Sequence, residues 1–213
     1  DWERIDDFCK QSFSYDFIVL NAGGMPDTLI FNNFNVEHQC ASQLVGHYYL
    51  ILCLNQNGSL KENAKIIWVS SGGMYLKKLD LQTLFHNKNY EKVSTYANVK
   101  RAQVTLAQEL SKQELWNKIK IFSMHPGWVK TEGLSKSLPG FFRIMGNRLR
   151  SLDEGIDTIL WLLVTEESLT RGGFYFDRKI VKPYLSKYFN PSREEKNELL
   201  ITIDNYVNSI SLG

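Results

Sequence analysis

Short continuous apolar runs alternate along this chain with longer stretches whose apolar residues recur at helical spacing. That alternation constrains the chain more than any single motif, because it is the pattern of an α/β fold with a mainly parallel sheet. Residues 17–20, 65–69, 119–123 and 173–176 read as strands, the first of them as a buried parallel strand. Residues 36–54, 94–115, 152–164 and 192–210 read as helices. A short helix near the start is expected from Asp1 as its cap, with Trp2, Ile5 and Phe8 on one face. Internal repeats and low-complexity stretches are absent.

Three of the four strands stop at turn-forming clusters: Asn21-Ala22-Gly23-Gly24, Ser70-Ser71-Gly72-Gly73 and His125-Pro126-Gly127. In open α/β sheets ligands collect beyond the carboxyl ends of the strands, so a site is expected where these loops converge. A length of 213 residues suits one domain with a sizeable core. The net charge of +2 is spread without a basic run, which argues against nucleic acid as a partner. The longest apolar runs, 48–54 and 159–164, fall far short of the ~20 residues a membrane span needs.

Cys9, Cys40 and Cys53 are odd in number and lack C-x-x-C spacing, so free thiols in a reducing, cytoplasmic compartment are expected. His38, His47, His86 and His125 lack metal-ligand spacing, and ordinary polar or turn roles are expected of them rather than a metal site.

Tyr96 and Lys100 stand four residues apart on a helix, which places phenol and ammonium on one face. An ammonium beside a tyrosine favours the phenolate, so Lys100 is expected to lower the Tyr96 pKa from about 10 toward neutrality. A phenol tuned in that way can donate or accept a proton during carbonyl reduction or alcohol oxidation. The spacing alone is weak, and Tyr175 and Lys179 repeat it. Tyr175 falls in an expected strand, where four residues span roughly 13 Å, so the ammonium cannot sit under the ring oxygen. Ser71, just past a strand end, can hydrogen-bond a substrate oxygen beside the tyrosine. Alone, it would read as a turn cap.

Asn21-Ala22-Gly23, the strand ending in Val69-Ser70-Ser71, Tyr96-x-x-x-Lys100 and Pro126-Gly127-x-Val129-x-Thr131 follow one another in an order that resembles the short-chain dehydrogenase/reductase family. The wide gap between Ser71 and Tyr96 is similar to its retinol-dehydrogenase-like branch. Ser70-Ser71-Gly72-Gly73-Met74, Ser123-Met124-His125-Pro126-Gly127-Trp128 and Phe176-Asp177-Arg178-Lys179 resemble one subgroup of that branch.

The resemblance implies a Rossmann-like, doubly wound parallel sheet and an NAD(P) cofactor, with NADP slightly favoured. It implies Tyr96 as acid/base, Ser71 orienting the substrate, and Lys100 tuning the tyrosine and bonding the nicotinamide ribose. Asn21, Ala22 and Gly23 would line the adenosine side, and Pro126, Gly127, Val129 and Thr131 the nicotinamide end.

The family opens with a strand, a Gly-rich turn and a helix that receives the pyrophosphate. No such turn occurs here, so a partial domain over residues 1–213 is expected, lacking the first βαβ portion and exposing an unpaired sheet edge. Gln43 occupies the place of an Asn that the family uses in a proton relay behind the lysine, and Leu20 replaces the first of two usual Asn residues.

In relatives the stretch corresponding to 132–150 covers the substrate, and its Phe, Ile and Met content suits an apolar alcohol or carbonyl. Packing of that lid onto the domain explains the same residues equally well. Shallow membrane contact by this segment and homo-oligomerisation stay open. The competing reading is a catalytically impaired, non-enzymatic interaction module, motivated by the absent phosphate turn and by Gln43.

Overall fold

The computed structural model describes residues 2–211, so the expected Asp1 cap lies outside the described residues. Helix α1 (Glu3–Cys9) leads into strand β1 (Tyr15–Leu20). A continuous helical stretch follows, made of α2 (His38–Cys40), a π-helical turn over Ala41–Val45, and α3 (Gly46–Gln56). The Glu37 carboxylate starts it by accepting from the amides of Gln39 and Cys40.

Strand β2 (Leu60–Val69) runs into a 3₁₀ turn at Gly72–Leu76, a short helix α4 (Leu81–Phe85) and the long helix α5 (Lys92–Leu110). Glu91 caps α5, accepting from the amides of Val93 and Ser94. Strand β3 (Lys120–Met124) is followed by α6 (Glu132–Ser137), α7 (Pro139–Met145) and α8 (Leu152–Val164). The chain closes with β4 (Phe174–Phe176), β5 (Lys179–Ile180) and α9 (Arg193–Ser211).

The sheet order is β1-β2-β3-β4-β5, parallel from β1 to β4 with β5 antiparallel. Successive side chains alternate between faces. Ile66, Trp68 and Ile121 therefore enter the main core with α3, α5 and α9, while Ile67, Val69, Phe122 and Met124 turn the other way and pack with Leu162 of α8. Lys65 fastens α8 to the sheet by donating to the carbonyls of Leu162, Leu163 and Thr165, which satisfies the open end of that helix.

Several sequence expectations need correction. The strand at 17–20 is buried on one face only. It is the sheet edge among the described residues, and Phe17 and Val19 stand 47% and 39% exposed. The exposed edge itself was expected from the sequence.

The helix expected over 36–54 contains the π turn, which is invisible in an apolar periodicity that runs straight through it. The helix expected to reach 115 ends at Leu110, where a short 3₁₀ turn at Glu114–Trp116 takes over. Tyr175 and Lys179 do not lie along one strand. Asp177 and Arg178 take positive φ angles of 48° and 59° and turn the chain into a hairpin, with Tyr175 opposite Ile180. The Tyr175 hydroxyl accepts from the Thr170 amide, which keeps this pair out of any site.

Candidate active site

The three loops at the strand ends meet around one cavity of about 590 Å³, a size ordinary for a cofactor or small-molecule site. Asn21 and Gly23 follow β1, Ser71 follows β2, and Pro126, Gly127, Val129 and Thr131 follow β3. Tyr96 and Lys100 reach the same space from α5. Most of the residues expected from the sequence to form a site thus line one cavity.

Ala22 and Gln43 are the exceptions. Gln43 is fully buried on the π turn, where its Nε2 donates to the Gly24 carbonyl at 2.8 Å and its own carbonyl accepts from Gln103 at 2.6 Å. Its side chain presses on Gly23, where a Cβ would lie 2.3 Å from Oε1, so any larger residue there would have to displace Gln43. Gln43 therefore buttresses the loop after β1, while Lys100 finds its partner elsewhere.

Lys100 is buried, and its Nζ donates to the Val69 carbonyl at 3.0 Å. The ammonium sits 5.3 Å from the centroid of the Tyr96 ring, over its face. Burial brings the lysine pKa down to about 7. Lys100 is not among the groups that move the Tyr96 pKa in this arrangement. Burial pushes the phenol above its usual value, and the opposing pull comes from a hydrogen bond with Ser71. The serine hydroxyl also accepts from the Gly73 amide at 3.2 Å, which caps the turn that follows it.

The loop after β3 is held from outside the cavity. Gly127 takes φ +78°, and a Cβ there would stand 2.7 Å from Arg150 Nε, so both backbone and space call for glycine. Arg150 forms a bidentate pair with Asp177, at 2.5 and 2.8 Å, and lies over the Phe176 ring. Its backbone bridges the lid stem, accepting from Lys130 and donating to Trp128. His125 stays out of the cavity, stacked on Phe176 at 4.1 Å, with its Nδ1 accepting from the Gly127 amide. Burial and nearby Arg150 depress its pKa to about 4, so the imidazole is neutral and serves packing.

The segment at 132–150, expected to form a lid, places its apolar residues differently from one another. Leu134 and Leu138 face the cavity along with Met25, Leu76 and Trp128. The aromatic run of the lid behaves differently: Phe141 packs on Trp128 at 4.4 Å, and Ile144 is 82% exposed. Composition identified the lid as apolar but could not say which turn of α6 or α7 faces inward. Among the described residues no cluster of His, Cys, Asp and Glu forms a metal site, and no helix is long and apolar enough to cross a membrane.

A parallel α/β sheet with a Tyr, a Lys and a Ser gathered at its carboxyl rim defines a Rossmann-type protein. Comparisons with known proteins narrow the class. No family model matches the chain. The human protein named dehydrogenase/reductase SDR family member 12 is 32% identical over 201 residues, 92% of this chain and 62% of that protein. The cattle protein of the same name is 32% identical over 205 residues, 95% of this chain and 64% of its own length.

Among solved structures, an uncharacterized protein from Mycobacterium paratuberculosis superposes with a TM-score of 0.68 at 18% identity, covering 98% of this chain and 72% of its own. The 3-ketoacyl-(acyl-carrier-protein) reductase from Brucella melitensis, complexed with NADH, gives 0.56 at 16% identity, covering 82% and 72%. Over nearly its whole length the chain is similar to members of the short-chain dehydrogenase/reductase family. It spans less than two thirds of the length of those two named relatives.

Proposed function

We propose that this chain carries the proton-transfer site of an NAD(P)-dependent oxidoreductase that interconverts an apolar alcohol and its carbonyl. The observation that carries the reading is the sharing of one cavity by Ser71, Tyr96 and Lys100.

The residues present fit a nicotinamide cofactor. Lys100 uses one N–H on Val69 and lines the cavity with two to spare, suited to ribose hydroxyls. Asn21 and Gly23 would hold the adenosine side, and Pro126, Gly127, Val129 and Thr131 the nicotinamide end. The bound cofactor supplies or accepts the hydride. Resemblance to the family slightly favours NADP.

The chain's own groups manage the proton. With its pKa held above the usual value, Tyr96 is protonated at neutral pH and donates from its hydroxyl to a carbonyl oxygen during reduction. Ser71 donates to the same oxygen and holds it at the phenol. In the reverse direction the phenol must first lose its proton, so alcohol oxidation accelerates as pH rises while reduction does not. The apolar lining from Leu134, Leu138 and Trp128 supports a lipid-like substrate under a lid at 132–150. The free state of Cys9, Cys40 and Cys53 supports a reducing, cytoplasmic location.

The test measures oxidation of reduced nicotinamide by the purified chain with a panel of apolar aldehydes and ketones. Tyr96→Phe is expected to lower turnover by about 10²–10⁴-fold. Unchanged turnover in that variant would reject Tyr96 as the acid. Calorimetry without substrate asks separately whether cofactor binds at all. A chain that binds no cofactor supports the alternative of a non-enzymatic interaction module.

A further inference from the structure

Arg101, next to Lys100, is the largest charged side chain fully buried in the main fold, at 1% exposure. No carboxylate pairs with it among the described residues. Its guanidinium instead donates to three backbone carbonyls: Nη2 to Met74 at 2.9 Å, Nε to Lys77 at 3.3 Å and Nη1 to Pro183 at 2.5 Å. Burying an unpaired cation is costly, and a well-packed apolar residue of similar volume would serve a purely structural role as well. The planar fork offers what an apolar residue and a lysine both lack, which is donors in fixed directions toward three separate points.

Those points matter for the site. Met74 lies within, and Lys77 directly follows, the 3₁₀ turn that begins immediately after Ser71. The same turn carries Tyr75, whose hydroxyl donates to the Lys182 carbonyl and whose ring meets His125 edge-on at 5.8 Å. His125 in turn accepts from the Gly127 amide. One guanidinium therefore ties helix α5, which bears Tyr96, to the turn after Ser71, and the segment at 182–183 closes the circuit to the loop at 125–127.

We propose that Arg101 is a positioning residue that sets the Ser71 hydroxyl against the Tyr96 phenol. The proposal rests on the reading of Ser71 and Tyr96 given above, but its test needs no turnover. The charged and titratable groups that share the cavity with Tyr96 are Lys100 and Lys77 together with Glu91.

The experiment is a pH titration of the Tyr96 phenol in the cofactor-free chain, by tyrosine-selective labelling and NMR, in wild type, S71A, R101K, R101M and the double variant S71A/R101K. Because the Ser71 bond lowers the Tyr96 pKa, S71A must raise it. The proposal expects R101K, which keeps the charge but loses the fork, to raise it in the same direction, and the double variant to add nothing further. Hydrogen exchange should rise at least tenfold at amides 72–77 and remain unchanged in β2 and β3. A Tyr96 titration that moves in R101M but not in R101K assigns the effect to charge and overturns the proposal. So does additivity in the double variant, or loss of folding in both Arg101 variants. Absence of hydride transfer in the wild-type chain, with the titration coupling intact, would count against the oxidoreductase reading alone.

Discussion

The two faces of the sheet are covered very differently. On one, α1, α3, α5 and α9 bury a continuous core that includes Leu44, Ile51, Ile66, Trp68, Leu106, Trp116 and Ile203. On the other, α8 covers Ile67, Val69, Phe122 and Met124, and nothing described covers Phe17 and Val19. The outer side of α8 repeats the contrast, since Leu152, Ile156, Leu160 and Val164, four residues apart, are all exposed. Tyr96 and Lys100, proposed to manage the proton, hang from the well-packed side through α5, while α6 and α7 of the proposed lid bury no residue. The difference teaches where rigidity is placed: Tyr96 and Lys100 are fixed by a core, and the lid by its stem at Arg150.

The comparison predicts its largest contrast for a truncation on the dense face. Ile66→Ala removes a fully buried side chain between β1 and β3 and is expected to cost about 2–5 kcal/mol, read as a lower urea midpoint with unchanged slope. A cost under about 1 kcal/mol would mean that the face collapses around the gap and is no better packed than its opposite.

Acid should act next, and through the same dense side. His47 is buried against Trp68 with its Nδ1 unpartnered among the described residues, and burial together with the Lys100 charge depresses its pKa to about 4. A histidine that titrates near 6.5 unfolded and about 4 folded leaves stability intact above pH 6.5. Stability is lost as pH falls from there toward 4, because the unfolded chain takes the proton first. The expected loss is about 2–3 kcal/mol between pH 7 and 4 for His47, with His125 adding a like amount. Urea midpoints across that range test it, and His47→Gln should flatten the curve. A variant with the wild-type slope would assign the acid loss to other groups.

How much of this was legible in the sequence depends on the kind of signal. Residues 152–164 were read with their true bounds because their apolar stripe starts and stops there, and in the structure Ser151 and Glu154 form reciprocal capping bonds at the first end. The candidate site was legible because its loop residues lie at strand ends, where turn-forming clusters interrupt apolar runs, and because Tyr96 and Lys100 stand one turn apart on α5. The π turn over Ala41–Val45 was not, because an extra residue per turn leaves the local composition unchanged. Gln43 stands on that turn and donates to the Gly24 carbonyl. Arg101 was equally silent, since its three carbonyl partners come from segments up to 82 residues away. The exposed side of β1 was missed because Phe-Ile-Val-Leu reads as buried on both faces. Apolar composition gives no account of what stands opposite each face.

The smallest expected effect makes the sharpest test of the asymmetry. Val19 lies opposite Ile67 on the thinly covered face and is 39% exposed. Threonine keeps its shape and its branching at Cβ, so the strand geometry is retained. In a buried site the new hydroxyl would lack a partner and cost about 1–3 kcal/mol. On an open face water satisfies it, and Val19→Thr should change stability by no more than about 0.5 kcal/mol. The same substitution reduces an exposed apolar patch and should lower self-association measured by sedimentation at rising concentration. A cost of 2 kcal/mol or more would show that this face is covered in solution, and the contrast between the two sides of the sheet would then belong to the described chain alone rather than to the protein at work.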